Sequence, residues 1–292
     1  MADTENLKKA KNFGIGIPVE NYGFHVKGAN NYSWGMKSRL SKIFNKDSGH
    51  TLMLAFDHGY FLGPTSGLER LDLVIPPLSE YFDCYMGTRG ALNTSIDPSV
   101  TGNKAVALRV TSGSSILQDD LSDEIVAVDI EEAIRMNADI MAVQVFIGGP
   151  NQRQSIENLS RVINEGNKYG IPTMGVVAVG KEMERTTEYF RLATRIISEL
   201  GAQVVKCYYC EDFASVVAGC QVPIVIAGGK KIPEKDALTM CYKAIQEGAA
   251  GVDMGRNIFQ AENPSAMIKA VRAIVHDGMN DIDAFALYNK LK

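Results

Sequence analysis

Short apolar runs recur along the chain from about residue 50, and each is followed by a polar or glycine-containing turn. The segments between the runs carry apolar side chains at the three- and four-residue spacing of an amphipathic helix. The runs themselves are rich in β-branched and other apolar residues, as in strands that are buried on both faces. The pattern therefore predicts strands and helices that alternate along the chain.

Eight such runs lie at residues 51–56, 84–87, 105–110, 140–147, 172–179, 203–209, 223–227 and 251–254. Helices are predicted between them, among others at 156–169, 187–200, 234–247 and 264–275. Alternating strands and helices imply a parallel sheet. Eight units in roughly 230 residues fit a (β/α)8, or TIM, barrel, whereas a doubly wound sheet more often has about five to seven strands. We therefore predict an α/β fold with one TIM-barrel domain at residues 50–292.

Residues 1–49 precede the first predicted strand. They contain one predicted helix, at 34–44, which follows a stretch rich in glycine and asparagine. We interpret this segment as an N-terminal extension that covers the barrel floor or takes part in assembly.

Composition excludes some classes of partner. The 292 residues carry a formal net charge of −4, which gives no electrostatic reason to expect nucleic acid or an anionic membrane. The first residues lack the apolar core of a signal peptide, and no run approaches the roughly 18 uncharged residues of a membrane span. We expect a cytoplasmic protein that would bind a small anionic substrate through a local basic pocket.

The cysteines and histidines give no sign of a metal site. Five cysteines, an odd number, point to reduced thiols, and the four histidines are widely scattered. Cys207 and Cys210 form a C-x-x-C, but in an extended segment their α-carbons would be about 10 Å apart, too far for a disulfide. We predict two packing thiols, no metal and no tightly bound cofactor.

Lys206 is the most unusual residue, because it interrupts the sixth apolar run. Burial disfavours an ammonium, which leaves a nucleophilic amine able to form a Schiff base with a ketone. The alternative is a lysine with a buried stem whose charge pairs with a nearby carboxylate.

Active sites of TIM barrels form at the carboxyl ends of the strands. Gly228-Gly229 and Lys230 follow the seventh run, and Gly255-Arg256 follow the eighth. Glycine turns let backbone N–H groups approach a phosphate, and an arginine adds charge-assisted hydrogen bonds. These two turns therefore predict a phosphate site, although an ordinary tight turn at Gly228-Gly229 is the alternative.

Further polar residues end the first and third runs. Asp57 could transfer protons in the mouth that holds Lys206, or could hold its own loop. His58 could orient Asp57, contact substrate or pack. Arg109 could contact substrate, affect the Lys206 amine or form a barrel salt bridge. Lys181, Lys230 and Lys231 are other cations that could keep the amine neutral.

Four segments carry a resemblance to a known family: residues 54–59 (Leu-Ala-Phe-Asp-His-Gly), Val205-Lys206, residues 225–229 and residues 251–259. With these motifs the chain resembles the class I aldolase group that includes deoxyribose-phosphate aldolase and archaeal-type fructose-bisphosphate aldolase. The resemblance implies that Lys206 forms a Schiff base and that the two glycine turns hold the substrate phosphate.

Within that group the chain is most similar to a thiolase branch, over nearly its whole length and notably at residues 34–41, 56–61, 67–70 and 206–209. This resemblance implies a phosphorylated diketone as substrate, coenzyme A as co-substrate and acetyl acceptor, and dihydroxyacetone phosphate as the other product, in autoinducer-2 breakdown. It also implies a large homo-oligomer of pentameric rings, such as a decamer.

One position departs from the family pattern. Related aldolases have a proton-transferring tyrosine on strand four, where this chain has Phe146. Another group would then perform that step, or the chemistry would need it less. Two other functions stay open: a class I aldolase that acts on fructose bisphosphate or a related sugar phosphate without coenzyme A, and a noncatalytic barrel that binds a sugar phosphate.

Overall fold

Eight parallel strands close into a barrel in the computed structural model, which describes residues 16–18, 23–101, 104–179 and 184–292. The strands are β1 (Thr51–Ala55), β2 (Cys84–Gly87), β3 (Ala105–Arg109), β4 (Ile140–Val145), β5 (Thr173–Val177), β6 (Val204–Tyr208), β7 (Ile224–Ala227) and β8 (Gly251–Met254). Each pairs with its neighbours in the chain, and β8 closes the barrel on β1. The predicted TIM barrel is confirmed.

Helices lie before, between and after the strands along the chain. They are α1 (Trp34–Ile43), α2 (Gly59–Leu62), α3 (Leu71–Val74), α4 (Arg89–Ser95), α5 (Pro98–Thr101), α6 (Ile130–Arg135), α7 (Gln152–Tyr169), α8 (Thr187–Glu199), α9 (Phe213–Gly219), α10 (Glu234–Gln246), α11 (Arg256–Phe259), α12 (Pro264–Asp277) and α13 (Asp281–Leu291). A 3-10 helix (Pro76–Tyr81) and a small antiparallel pair (Thr111–Ser112 with Ile125–Val126) complete the described elements. None of the helices described is long and apolar enough to cross a bilayer.

Helix α7 begins four residues before its predicted start, because its first turn is polar and carries no apolar periodicity. It ends where predicted. Gly170 follows it at φ +67°, a left-handed conformation that glycine adopts without strain, and its N–H bonds to the Gly166 carbonyl.

Alternate strand residues face opposite sides of the barrel wall. Met53 and Ala55 of β1 belong to an interior cluster, whereas Leu52 and Leu54 pack in the layer between strands and helices. Many of the interior side chains are small, which leaves room for the few polar groups that the strands also carry. The barrel interior is therefore a packed core.

Helix α1 lies against the amino-terminal ends of the strands. Its Leu40 and Ile43 join the interior cluster, and Lys42 Nζ is 2.9 Å from Asp139 Oδ1, just before β4. Arg39 also donates to the Gly170 carbonyl, just before β5, at 3.0 Å. The helix thus sits at the barrel floor, as expected for the extension, while the domain boundary at residue 49 stays a prediction.

Gly251 allows the close approach of β8 to β1. Its φ is +150°, and a Cβ there would overlap the Thr51 carbonyl oxygen. Overpacking and backbone strain each cost about 1–3 kcal/mol, so we expect Gly251→Ala to lower the free energy of unfolding by about 3 kcal/mol. Urea denaturation measures it.

Gly90→Ala in α4 is the matched control, because nothing lies within 4 Å of its added Cβ. Alanine is favoured over glycine in a helix by about 1 kcal/mol, so this variant should keep or gain stability. Equal stability of the two variants would contradict the steric explanation.

Candidate active site

Lys206 points into the barrel from the middle of β6. Its neighbours Val205 and Cys207 pack in the outer layer, so the alternation of a strand turns Lys206 inward. The residue is only 7% exposed. Its Nζ lies 2.8 Å from Asp253 Oδ2 and 3.2 Å from Met86 Sδ. Lys206 is thus buried, as a nucleophilic amine would be, and also paired with a carboxylate, as in the alternative interpretation of the sequence.

Asp253 is the carboxylate that faces this lysine, from β8. Its side chain is fully buried, and in the described part of the chain neither oxygen has a hydrogen-bond partner besides the Lys206 amine. Burial raises the pKa of Asp253, Lys206 acts against that rise, and Asp57 adds to it. Asp253 is not among the predicted site residues. Like Lys206, Asp253 is a single charged residue in an apolar strand, and this pattern could have identified it as a site residue.

Asp57 follows β1 and is buried beside Arg109. Its Oδ2 is 3.6 Å from Arg109 Nη1. Among the described residues, the carboxylate within ion-pair distance of Lys206 belongs to Asp253. The carboxylate that contacts the amine is therefore Asp253 and not Asp57. The proposed part of Asp57 in proton transfer stays a prediction.

Arg109 lies at the end of β3 within a buried polar cluster of Tyr60, Gln144, Glu124 and Asp57. Its Nη2 contacts the Tyr60 hydroxyl and Gln144 Oε1, and lies 3.4 Å from Glu124 Oε1. Burial lowers the pKa of Arg109, but the surrounding acidic groups outweigh burial and raise it. The guanidinium is thus a fixed charge held by the protein's own groups, as in the salt-bridge alternative. Its contact with substrate stays a prediction.

His58 begins the turn into α2. Its ring packs edge-on against Phe259, with centroids 5.8 Å apart, and its Nδ1 is buried without a partner among the described residues. Burial lowers the pKa of His58 to about 4, although Asp57 acts in the opposite direction and Lys206 adds to the fall. The imidazole is therefore neutral at neutral pH. Its catalytic role stays a prediction.

The two glycine turns lie side by side and are joined by Asn257. Asn257 Nδ2 donates to the carbonyls of Gly228 and Lys230 at 2.6 and 3.2 Å, and Oδ1 accepts from the Ile232 N–H at 2.9 Å. Gly229 has a φ of +70°, which glycine adopts without strain. The amide of Asn257 thus fixes the main chain of the first turn against the second.

Several cations surround these turns. Arg256 Nε is buried without a partner in the described chain, and Lys230 lines the same cavity. Arg185 stacks on Tyr208, with Cζ 3.7 Å from the ring centroid, beside Gly229. Arg185 is absent from the predicted site because it lies outside every strand end. Lys231 instead pairs with Glu234 at 2.8 Å, and Lys181 lies outside the described residues.

A cavity of about 340 Å³ at the carboxyl ends of the strands joins these groups. All nine predicted site residues line it: Asp57, His58, Arg109, Lys206, Gly228, Gly229, Lys230, Gly255 and Arg256. The cavity also includes Asp253, Arg185 and Tyr60, which were not predicted. A buried amine beside a carboxylate, next to a cationic phosphate-type pocket, can condense with a phosphorylated ketone.

Comparisons with known proteins agree with this geometry. Residues 51–261 match the family described as DeoC/LacD family aldolase. The chain belongs to this aldolase family. It is 55% identical over 289 residues to the 3-hydroxy-5-phosphonooxypentane-2,4-dione thiolase of Yersinia pseudotuberculosis serotype O:1b (strain IP 31758), across 99% of this chain and 98% of that protein.

A second similar sequence and a solved structure were also compared with this DeoC/LacD family member. An uncharacterised aldolase of Pasteurella multocida (strain Pm70) is 53% identical over 289 residues, which cover 99% of each protein. The solved structure of an archaeal fructose 1,6-bisphosphate aldolase superposes with a TM-score of 0.75 at 26% identity, over 83% of this chain and 100% of that one. The family resemblance drawn from the sequence motifs is confirmed.

Phe146 follows β4, is buried and lines the cavity, while its correspondence to the strand-four tyrosine of related aldolases stays a prediction. A phenol does lie nearby, because Tyr60 contacts Gln144 of β4, with its hydroxyl 3.2 Å from Oε1. That hydroxyl donates to Glu124 Oε1 at 2.7 Å, and burial raises the pKa of Tyr60 well above its usual range. In this member of the DeoC/LacD family the phenol therefore belongs to the Arg109 cluster.

His58 should make stability depend on pH. An unfolded histidine binds a proton below about pH 6.5, whereas folded His58 does so only near 4. Between these values the unfolded state holds more protons, so stability falls as pH falls, by up to roughly 3 kcal/mol from this group. His58→Gln lacks the effect, and its loss of unfolding free energy between about pH 7 and about pH 4.5 should be smaller by that order.

Urea unfolding of both proteins at the two pH values measures the difference. His276→Gln is a poor control because His276 contacts Asp83, so His25→Gln at the barrel floor is preferable. An unchanged pH dependence in His58→Gln would contradict a buried neutral imidazole.

Proposed function

We propose that this protein is a Schiff-base-forming thiolase that cleaves 3-hydroxy-5-phosphonooxypentane-2,4-dione and transfers its acetyl group to coenzyme A. The products would be acetyl-CoA and dihydroxyacetone phosphate. The observation that carries the proposal is the buried Lys206 amine, 2.8 Å from Asp253, in a cavity that Arg185, Lys230 and Arg256 also line. The full-length similarity to a thiolase of that name supports the choice of substrate.

The first half of the reaction activates the substrate. The phosphate would be held by the backbone of the two glycine turns and by Arg256 and Lys230. This places the ketone carbon nearest the phosphate within reach of Lys206, which condenses with it and releases water. The resulting iminium draws electrons from the neighbouring carbon–carbon bond.

The second half breaks that bond. The thiol sulfur of coenzyme A forms a bond to the acetyl carbonyl carbon and gives up its proton, while the carbonyl π bond opens onto its oxygen. The carbonyl then re-forms as the carbon–carbon bond breaks, and the electron pair of that bond moves into an enamine on Lys206. Acetyl-CoA leaves, the enamine carbon takes up a proton, and water hydrolyses the imine to dihydroxyacetone phosphate and free Lys206.

The shape and charge of the cavity favour one phosphate over two. Arg185, Lys230 and Arg256 lie around the ends of β5 to β8, whereas the wall after β3 and β4 is formed by Leu121, Phe146 and nearby apolar groups. Arg109 at the end of β3 also lines this side, but it is already paired with Asp57 and Glu124. Asp119 and Asp120 add negative charge there, which repels a second phosphate. A small uncharged acetyl group fits this wall better than the second phosphate of fructose bisphosphate.

The alternative is a class I aldolase that acts on fructose bisphosphate or a related sugar phosphate. It rests on the likeness to the archaeal fructose 1,6-bisphosphate aldolase, and it would use the same lysine without a thiol. Dependence of turnover on coenzyme A separates the two. The role in autoinducer-2 breakdown, the cytoplasmic location and a decameric assembly stay predictions that accompany the thiolase proposal.

Lys206→Met should abolish turnover. The thioether has a similar length but no amine, and Asp253 is expected to take up a proton once its cation is gone. We expect coenzyme A-dependent release of dihydroxyacetone phosphate to fall by roughly 10⁴-fold or more. Mass measurement after borohydride treatment with dihydroxyacetone phosphate should show an adduct on the wild type only.

Thermal stabilisation by dihydroxyacetone phosphate reports whether the variant still folds and binds the phosphate, and it should persist. Substantial activity in Lys206→Met would refute the Schiff base. The aldolase would be favoured instead if the wild type cleaved fructose bisphosphate without coenzyme A and did not cleave the diketone in the presence of coenzyme A.

Arg256→Gln should weaken binding of the phosphorylated substrate. A hydrogen bond to a charged group contributes about 1.5–3 kcal/mol, so KM should rise roughly 10- to 100-fold with a smaller change in kcat. Arg135→Gln removes an exposed arginine of α6 and serves as the matched control. Steady-state kinetics with varied diketone would disprove the assignment if both variants kept the wild-type KM.

A further inference from the structure

We propose that Asp253 is the catalytic acid and base that moves protons at Nζ of Lys206 as the Schiff base forms and hydrolyses. This inference rests on the Schiff base of the proposed function, but not on coenzyme A or on the identity of the diketone. It gives a role to a residue of β8 that faces the reacting nitrogen directly, at 2.8 Å.

The need for such a group follows from the surroundings of the amine. An ammonium carries three protons and must lose one before its nitrogen can attack a carbon. Among the described residues, the ion-pair and hydrogen-bond partners of Nζ are Asp253 and Met86. A thioether cannot accept a proton, so the Asp253 carboxylate is the acceptor within hydrogen-bond reach.

The other titratable groups of the cavity are less suited to this task. Asp57 pairs with Arg109, and the Tyr60 hydroxyl donates to Glu124 at 2.7 Å. His58 has a pKa near 4 and so is a weak base toward an ammonium. Phe146 has no proton to give. Asp253, by contrast, lines the cavity, and its Oδ1 is buried without a hydrogen-bond partner among the described residues.

The proton steps balance on this pair. The ammonium first passes one proton to the carboxylate, which gives a neutral amine and a neutral acid. The nitrogen then bonds to the ketone carbon, the carbonyl π bond opens onto oxygen, and a proton moves from nitrogen to that oxygen to give the carbinolamine. The Asp253 acid next protonates the hydroxyl, the C–O bond breaks, and the nitrogen lone pair forms the iminium. Two of the three ammonium protons leave in water, and Asp253 is again a carboxylate.

Burial makes the first transfer accessible. In a desolvated site two opposite charges that become two neutral groups lose their attraction but also their desolvation cost. The raised pKa of Asp253 is in the direction that this transfer needs. Arg109 and Asp57 cannot do the same, because a guanidinium keeps its proton in proteins. Of these two ion pairs at the mouth, the Lys206 pair is therefore the one that can exchange a proton.

Asp253→Asn tests the proposal in a single-turnover experiment. The full-length variant is mixed with dihydroxyacetone phosphate without coenzyme A, and the borohydride-trapped adduct is followed over time by mass. General acid–base groups contribute about 10²- to 10⁴-fold, so the trapping rate should fall by about that factor. Thermal stabilisation by dihydroxyacetone phosphate should remain, since the phosphate contacts are untouched.

Asp139→Asn is the matched control. Asp139 is also a buried aspartate with one lysine partner, Lys42 at 2.9 Å, but it lies at the barrel floor. Its substitution should lower stability while the trapping rate per folded protein stays within about threefold of the wild type, a change worth less than about 1 kcal/mol. A similar loss of trapping in both variants would overturn the proposal, because a general loss of packing would then explain it.

Asp253→Glu separates chemistry from packing. If Asp253 only fills space, the larger glutamate should trap more slowly than the isosteric asparagine, and if it moves protons, glutamate should trap faster. Should Asp253→Asn not fold, the glutamate variant decides alone: trapping above about a tenth of the wild-type rate supports proton transfer, and a folded variant without trapping overturns it.

The outcomes also separate this inference from the proposed function. Trapping that depends on Asp253, in an enzyme with no activity toward coenzyme A, would support the role of Asp253 and refute the thiolase. A wild type that forms no adduct would overturn both. A trapping rate in folded Asp253→Asn within about threefold of the wild type would overturn the inference alone.

Discussion

The ion pair of Lys206 and Asp253 is the interaction around which the active end of the barrel is organised. It spans the interior between β6 and β8, which β7 separates, so it joins two strands that do not pair with each other. Removing two charges from water is costly, and well-packed apolar residues often serve stability as well or better. A pair held this deeply, whose carboxylate has one oxygen without a partner among the described residues, is better explained by reactivity at the nitrogen than by a need for stability.

The cavity divides its charges between fixed and exchangeable groups. Arg109 is enclosed by Asp57, Tyr60 and Glu124 and keeps its proton, so this cluster positions the residues after β1 and β3. On the other side Arg256 Nε is buried without a partner among the described residues, and the two glycine turns line the same cavity. The lysine lies between this polar cluster and the glycine turns with Arg256, the arrangement from which we propose that a phosphorylated ketone binds with its phosphate at the turns.

Much of this arrangement could be predicted from sequence because it depends on local patterns. The eight apolar runs match the strands to within two residues at each end, and the residues that terminate the runs line one cavity. Which charges pair could not be predicted, because pairing depends on how strands far apart in sequence face each other across the barrel. Asp253 carries the same local signal as Lys206, but Arg185 comes to Gly229 by stacking on Tyr208, a contact that no spacing reveals.

The phenylalanine at position 146 agrees with a thiolytic cleavage. In an aldol cleavage a base must remove the proton of the hydroxyl that becomes the new carbonyl, so a tyrosine or similar group is needed at that end of the substrate. In thiolysis that end is already a carbonyl, and the proton to be removed belongs to the incoming thiol. A wall of Phe146 and Leu121 can then pack against the acetyl group while the proton transfers at the other end stay with Lys206 and its carboxylate. Phe146 and the buried Asp253 thus both fit the proposed thiolase chemistry, in which the acid–base work would lie at the Schiff-base nitrogen.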